Sequence, residues 1–318
     1  MHRLTSILKK FLLFFGLFFI FCYSFQSCCA KTSNLKFAQV SDVHFSTIEN
    51  DTNYKVLKAS SLLLDDTINQ INSTANIDFT VFTGDLINTP SQDELLKFIT
   101  HANLLTKPWY SVFGNHDVCV SGGLNKSRFL EIMCGHNKDF CYKTPYYSFT
   151  PRKGYKAIIL DTTIDEQGTS NGKITEEQLD WLKQELKKSK GDIVLIYTHV
   201  PVIEPFPSEN HRLLNSYDLK LLLKKFNNPI IVCSGHYHAS KITQEDNVLY
   251  ISSPSLVTYP CAFRVVNILP KRNKVIVDVY IKDTRLKTIQ DNAKAKCMAS
   301  PLLSGKEEDR NWSYEIKR

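Results

Sequence analysis

Five short apolar runs, rich in β-branched and aromatic residues, recur along the chain, and each ends in a polar motif. Runs of this kind predict strands that are buried on both faces, as in a largely parallel sheet. The carboxyl ends of strands in an open α/β sheet lie along one crevice, so we expect the five motifs to meet there. The runs are Leu35 to Val40, Ile77 to Phe82, Trp109 to Phe113, Ile193 to Tyr197 and Ile230 to Val232.

The segments between these runs predict helices. Residues 54–71 carry apolar side chains at helical spacing, and capping boxes open further helices at Ser91 and Thr175. A fourth helix is expected near residues 217–226. Strands that alternate with helices predict parallel strands joined by right-handed crossovers.

Three other segments have a different character. From Lys241 onward the pattern is of strands alone, and the alternating valines of residues 274–281 predict an antiparallel sheet with one face in water. Residues 118–145 lack sustained periodicity, which predicts a long functional loop. Residues 287–318 are polar and weakly periodic, so we expect a loosely packed tail.

The N-terminus has the pattern of an export signal. Three basic residues precede an unbroken apolar run from Phe11 to Phe25, and small residues follow at Cys28-Cys29-Ala30. Residues 1–30 are therefore predicted to be a cleaved signal peptide or, because residues 11–30 have about the 20 apolar residues that span a bilayer, a retained membrane anchor. A lipid-modified Cys28 is a third alternative. Each predicts an extracytoplasmic domain, whether periplasmic, at the cell surface or secreted.

The cysteines bear on this prediction, because an oxidising compartment permits disulfides. Six of the nine cysteines follow the N-terminal segment, and Cys119, Cys134 and Cys141 lie close together in the sequence. We expect at least one bridge among these three. A zinc site is the alternative, but their spacing is longer than that of structural zinc sites. Cys233 lies inside an apolar run and is expected to be a small buried hydrophobe.

Composition and charge narrow the possible functions. The chain has 318 residues, of which 43% are hydrophobic and 22% charged, as in an ordinary globular protein with one large domain. Its formal net charge is +7, and three of the basic residues precede the N-terminal apolar run. Nucleic-acid-binding domains that rely on a basic surface are usually far more basic. No nucleic-acid surface is predicted.

The five polar motifs together supply imidazole and carboxylate ligands. A single Asp or His at a strand end is more often a hydrogen-bonded turn residue than a ligand, but five of the nine histidines fall within the motifs. His211 is one of the four that lie in ordinary surroundings. Imidazole combined with carboxylate suits Mn, Fe or Zn better than Ca. The motifs are Asp42-Val43-His44, Gly84-Asp85, Gly114-Asn115-His116-Asp117, His199 and Gly235-His236-Tyr237-His238.

This ordered set resembles the signature of the calcineurin-like metallophosphoesterases, over about Lys36 to Thr284. The resemblance implies a metallo-dependent phosphatase fold, an α/β fold in which two mixed sheets flanked by helices form a four-layer α-β-β-α sandwich. The phosphoesterase domain would cover residues 31–286. Gly172-Lys173-Ile174 and Ser253-Pro254-Ser255 resemble the cyclic-nucleotide phosphodiesterase branch.

The resemblance also implies two divalent metal ions, Mn, Fe or Zn, that share the carboxylate of Asp85. A water between them would be activated to hydroxide near neutral pH and would attack phosphorus. A shared carboxylate and few other anionic ligands leave a net positive charge for a phosphate. The ligands of one metal would be completed by Asp42, His44 and His238, and those of the other by Asn115, His199 and His236.

His116 is the candidate to bind a phosphoryl oxygen or to protonate the leaving group, and Asp117 is the candidate to orient it. The alternative for His116 is a structural hydrogen bond. Walls of the substrate pocket are expected from residues 118–145, 202–215 and 253–264, with Arg212 and Arg264 among the candidate contacts.

The expected function is hydrolysis of a small phosphodiester, such as a cyclic nucleotide, outside the cytoplasmic membrane. A phosphomonoesterase of the purple acid type is the alternative, but those enzymes use a tyrosine ligand near the second motif and residues 84–88 contain none. A scaffold that has lost catalysis is a third interpretation. It conflicts with a complete set of ligand positions.

Overall fold

Two mixed sheets form the centre of the computed structural model, which describes residues 32–48, 50–119, 124–164 and 168–318. Residues Ser33–Arg318 form one compact unit. The N-terminal segment for which a signal peptide or anchor is predicted lies outside the described residues. None of the helices in the described part has the length and apolar character that crossing a bilayer requires.

The first sheet contains the strands that carry the first three motifs. Strands β1, β2 and β3 are parallel, as their crossover helices predict, and β10, β11 and β12 continue the sheet in antiparallel fashion beyond β1. Its order is β12-β11-β10-β1-β2-β3. The strands are β1 (Leu35–Val40), β2 (Phe79–Phe82), β3 (Trp109–Ser111), β10 (Ala262–Pro270), β11 (Lys274–Asp283) and β12 (Trp312–Lys317).

The second sheet carries the last two motifs. Strands β5, β6, β7 and β9 are parallel, and β4 and β8 lie antiparallel at the two edges. Its order is β4-β5-β6-β7-β9-β8. The strands are β4 (Tyr147–Phe149), β5 (Tyr155–Ile159), β6 (Ile193–Tyr197), β7 (Ile230–Ser234), β8 (Lys241–Glu245) and β9 (Val248–Ser252).

The helices include those predicted from capping and periodicity. The Ser91 side chain accepts a hydrogen bond from the Glu94 backbone N–H, and Thr175 accepts one from that of Gln178, so both predicted caps are confirmed. A 3₁₀ turn, Leu57–Ala59, precedes the first helix. The helices are α1 (Ser60–Ser73), α2 (Gln92–Ala102), α3 (Lys126–His136), α4 (Glu176–Lys188), α5 (Ser216–Leu223), α6 (Lys287–Lys296), α7 (Ser300–Ser304) and α8 (Glu307–Arg310).

The layers follow from the alternation of side chains along β6. Ile193, Leu195 and Tyr197 belong to the apolar core shared with the first sheet, whereas Val194 and Ile196 belong to the cluster formed with α4 and α5. The ring of Tyr197 meets those of Phe37 and Phe79 of the first sheet edge-on. On the other side of the first sheet, Phe82 packs against Phe98 of α2. The predicted four-layer α-β-β-α arrangement is confirmed.

The loop predicted over residues 118–145 contains α3, so its prediction as structureless is wrong. Asn125 caps this helix by accepting from the N–H of Arg128, and Phe129, Ile132 and Met133 are buried at helical spacing. The exposed sulfurs of Cys134 and Cys141 lie 2.7 Å apart. These two cysteines are therefore the candidates for the expected local bridge, which remains a prediction. Cys233 is buried, as expected.

The prediction of a loosely packed C-terminal tail is also wrong. Residues 312–317 form β12, which pairs with β11 and buries Ile316 completely. Its Ile316 faces the core on the same side as Val275, Val277 and Val279. The segment is polar because β12 is an edge strand with one face in water, and such a strand contributes few apolar residues.

Replacing Ile316 by Ala tests this correction. We expect the free energy of unfolding to fall by about 2–5 kcal/mol, because the substitution leaves a cavity in a packed core. Denaturant unfolding measures the change. Trp312→Ala on the same strand is the control, since the Trp312 side chain is 54% exposed. Equal, small effects of both substitutions would show that the strand is only loosely attached.

Candidate metal centre

The structure brings together all seven side chains that sequence analysis assigns to the two metals. They follow β1, β2 and β3 of the first sheet and β6 and β7 of the second, so the site lies where the carboxyl ends of the two sheets meet. Asp42, His44 and His199 are completely buried. Three groups of His and Asp side chains here place their ligand atoms within 4.8 Å of one another.

The first group of donor atoms surrounds His44. Its Nε2 lies 3.2 Å from Nε2 of His238 and 3.5 Å from Oδ2 of Asp85. Nε2 of His238 lies 3.4 Å from Oδ1 of Asp42. Ligands that bind one cation at about 2.0–2.2 Å have their donor atoms about 3.0–3.6 Å apart. This group therefore has the spacing of a coordination shell.

The second group surrounds His199. Its Nε2 lies 3.1 Å from Oδ1 of Asn115, 3.1 Å from Nδ1 of His236 and 3.4 Å from Oδ1 of Asp85. Asp85 thus turns one carboxylate oxygen toward each group. Two imidazole nitrogens that face each other at these distances gain a common partner when a cation lies between them. The donor set fits two cations bridged by Asp85.

Five of the seven residues have left-handed backbones, a conformation that is uncommon for residues other than glycine. Strain of this kind persists only where surrounding contacts enforce it, and it clusters at functional sites. Hydrogen bonds from the N–H of Asp42 to the Gly84 carbonyl and from that of His44 to the Asp85 carbonyl hold the first two loops together. The φ angles are 50° for Asp42, 42° for His44, 50° for Asp85, 70° for His236 and 55° for His238.

Glycine is required at Gly84, where two motifs approach each other closely. A Cβ at this position would collide with the imidazole of His199, and the backbone φ of +90° is itself unfavourable for other residues. The Gly-Asp motif therefore allows the fourth motif, on the other sheet, to pack directly against the second.

Partners outside the predicted motifs fix the orientation of the imidazoles. Nδ1 of His199 bonds to the Thr83 carbonyl at 2.9 Å, and Nδ1 of His238 lies 3.2 Å from Oγ1 of Thr258. The buried Lys55 places its Nζ 3.3 Å from Nδ1 of His44. These contacts leave the opposite nitrogens facing the site. None of the three partners is predicted from the sequence: Thr83 directly precedes Gly84 but meets His199 of another motif, and Lys55 and Thr258 lie outside the motifs.

Burial and charge set the protonation of these groups. Burial, and then the charge of Lys55, lower the pKa of His44 well below its usual value. Burial, and then the charge of His199, lower the pKa of His236 to about 3. Burial alone would lower the pKa of His199, but the Asp85 carboxylate raises it to about 9. His44 and His236 are thus neutral, as ligands must be, and a cation beside Asp85 would displace the proton of His199.

His116 and Asp117 have different surroundings. Nδ1 of His116 lies 2.8 Å from the Asn88 carbonyl, and its ring meets that of His44 edge-on. Among the described residues, the carboxylate of Asp117 accepts hydrogen bonds from the N–H groups of Gly114, Leu86 and Ile87. The assignment of Asp117 as the group that orients His116 is therefore wrong. Asn88 has that role, and Asp117 joins the second and third motifs.

A pocket of about 400 Å³ opens beside His236 and His238. His211 lines it, with its ring centroid 5.3 Å from that of His236, although its sequence surroundings gave no indication of a role. Arg264, a predicted pocket contact, is instead buried and donates to the carbonyls of Ser252 and Asp309. The remaining residues that line the pocket are Tyr54, Phe206, Tyr237, Cys297, Ala299 and Leu303.

Comparison with known proteins identifies the class. The model of the calcineurin-like phosphoesterase family matches residues 35–240, and the chain belongs to this family. It is 28% identical, over 72% of its length and 83% of the relative's, to a probable cyclic nucleotide phosphodiesterase of Fibrobacter succinogenes. It is 27% identical, over 68% and 77% respectively, to a probable glycerophosphodiester phosphodiesterase of Arcobacter nitrofigilis.

A solved structure agrees with the fold. A dimetal phosphatase from Danio rerio superposes with a TM-score of 0.60 at 17% identity, over 79% of this chain and 99% of the other. The family and the fold predicted from the five motifs are therefore confirmed.

Replacing Asp117 by Asn tests its structural role. The amide offers one acceptor oxygen in place of two and turns an N–H₂ toward a backbone N–H, so we expect the free energy of unfolding to fall by about 1–3 kcal/mol. Denaturant unfolding of metal-free protein measures this. A role confined to orienting His116 would leave stability unchanged and reduce only turnover.

Proposed function

We propose that the chain is a dinuclear-metal-dependent phosphodiesterase acting on a small phosphodiester. The observation that carries the proposal is the position of the Asp85 carboxylate. Its two oxygens face two separate groups of donor atoms, and the backbone N–H of His116 donates to it. A bridging carboxylate is the feature that a site for two cations requires and a single-metal site does not. The probable phosphodiesterase relatives support a diester as the substrate.

The residues that would hold one cation are Asp42, His44, Asp85 and His238, and the other Asp85, Asn115, His199 and His236. When bound, the pair would lower the pKa of a coordinated water and offset charge on the phosphoryl group. The two aspartates alone do not neutralise two dications. With both cations bound, the site would therefore keep a positive charge that favours a phosphate anion.

His116 is positioned to move a proton. Its Nδ1–H donates to the Asn88 carbonyl, so Nε2 is the nitrogen that remains for a substrate. In hydrolysis, water gives up a proton as its oxygen bonds to phosphorus, the bond from phosphorus to the leaving oxygen breaks, and the leaving oxygen takes up a proton. A protonated Nε2 can supply that proton, and the products are a phosphomonoester and an alcohol.

We further propose that the enzyme works outside the cytoplasmic membrane. The support is the basic and apolar N-terminal sequence, which has the composition of a signal peptide or anchor. Cell fractionation with N-terminal sequencing of the mature chain tests this separately from activity.

Removing the metals tests the main proposal. We expect full-length protein loaded with Mn to hydrolyse bis(4-nitrophenyl) phosphate faster than 4-nitrophenyl phosphate, and to lose this activity with a chelator. Elemental analysis should find two metal ions per chain, and fewer in Asp85→Ala. Hydrolysis that survives chelation would exclude a metal enzyme, and faster cleavage of the monoester would favour a phosphomonoesterase.

Replacing His116 by Ala separates proton transfer from metal binding. Turnover should fall by about 10²–10⁴-fold while metal content stays the same, because the imidazole lies next to the ligands without being assigned as one. The control is His136→Ala, an exposed histidine at the end of α3. If His116→Ala kept normal turnover, His116 would have no part in the mechanism.

A further inference from the structure

The pocket beside His236 and His238 has walls of unusual composition for a phosphate-binding site. Tyr54, Phe206 and Tyr237 contribute aromatic rings, and those of Phe206 and Tyr237 meet edge-on at 5.1 Å. No Lys or Arg is among the described residues that line it. A second phosphate or another anionic group would find no cationic side chain here, so the walls suit a neutral group.

The polar contacts that the pocket offers are few. His211 and His236 both line it, and the buried Nε2 of His236 has no hydrogen-bond partner among the described residues. Nδ1 of His236 faces His199, and its Nε2 is buried, so this nitrogen adds no accessible polar atom to the pocket. An apolar ring with one or two polar atoms would match aromatic walls that offer so few polar contacts.

One wall comes from the C-terminal part of the chain, beyond the residues that the family model matches. We call Cys297, Ala299 and Leu303 the C-terminal wall. Cys297 and Leu303 form a small apolar cluster with Tyr237 and Ala239, in the loop that carries the two histidines. The wall is therefore packed against the site's own backbone.

Hydrogen bonds hold the C-terminal wall against the loop that follows His238. The N–H of Ser240, two residues after His238, donates to the Leu303 carbonyl at 2.8 Å. Just beyond, the buried carboxylate of Asp309 accepts from the N–H of Ile242, and the Asp309 carbonyl accepts from Arg264. These contacts anchor the C-terminal wall beside the loop that carries His236 and His238.

We propose that the C-terminal wall, together with Tyr54, Phe206 and Tyr237, binds a planar aromatic group on the ester oxygen that is not cleaved and so sets the preference among phosphodiesters. The inference rests on the proposed function, which places the phosphate at the adjacent metal ligands. Diesters that carry an aromatic group fit this pocket, whereas small alkyl groups leave its walls without contact.

Two substitutions in the C-terminal wall test the proposal. We compare kcat/KM of Mn-loaded full-length protein for bis(4-nitrophenyl) phosphate and methyl 4-nitrophenyl phosphate. The two diesters share the 4-nitrophenyl leaving group and differ only in the retained ester group, aromatic or methyl, so the ratio reports the contact that the retained group makes. Leu303→Ala removes apolar contact and should lower this ratio about tenfold or more. Ala299→Phe fills the pocket from an exposed backbone position and should lower it as well.

Leu302→Ala is the matched control. Leu302 neighbours Leu303 in α7 but is 52% exposed and does not line the pocket, so the ratio should remain that of the original chain. Thermal unfolding of each variant shows whether it is folded, and Ala299→Phe remains informative if Leu303→Ala is not. An unchanged ratio in Ala299→Phe, or an equal fall in Leu302→Ala, would overturn the proposal.

A binding measurement separates this proposal from the proposed function. Calorimetric titration with phenylphosphonate and methylphosphonate reports the preference for an aromatic group without turnover. Preference for phenylphosphonate that Ala299→Phe abolishes, in a protein that hydrolyses neither diester, would support the pocket and contradict the phosphodiesterase. Hydrolysis without any such preference would contradict the pocket alone.

Discussion

The carboxylate of Asp85 is the contact on which the arrangement of the site depends. One of its oxygens lies near His44 of the first sheet and the other near His199 of the second, so a single side chain joins two groups of ligands. The backbone N–H of His116 also donates to it. Each of these neighbours comes from a different motif. The position of Asp85 therefore relates four motifs, and a shift of this one loop would separate both groups at once.

The packing of the two sheets brings the motifs together, and the loops that carry them have strained backbones. Parallel strands β1, β2 and β3 end opposite β6 and β7, because the inner faces of the two sheets share one apolar core. The chain must then turn sharply to direct its side chains inward, and five of the seven candidate ligands have left-handed backbones. Gly84 lets the loops of opposite sheets touch. The rigid core thus supports a strained site, as is usual where function requires a fixed geometry.

Residues next to the motifs show where sequence reasoning reached its limit. Asp117 follows His116 directly and was expected to orient it, but the turn points its carboxylate at three backbone N–H groups instead. His211 lies in a polar loop with no periodicity, and yet the fold sets it beside His236. Side chains of neighbouring residues in one loop can point in different directions. Which of them faces the site depends on backbone angles that the residue types alone do not fix.

The sequence by itself determined the family, the seven side chains that meet at the candidate metal centre and the parallel strands before them. Metal chemistry limits the residue types of such a site, and burial on both faces limits the composition of its strands. The tertiary structure alone decided the partners of the imidazoles, the part played by Asp117, and the return of the C-terminal segment to the site. The Leu303 carbonyl, for example, accepts a hydrogen bond from the N–H of Ser240, which lies 63 positions earlier in the chain. Contacts of this kind arise from how the layers pack, and polar edge segments carry too little apolar pattern to reveal them.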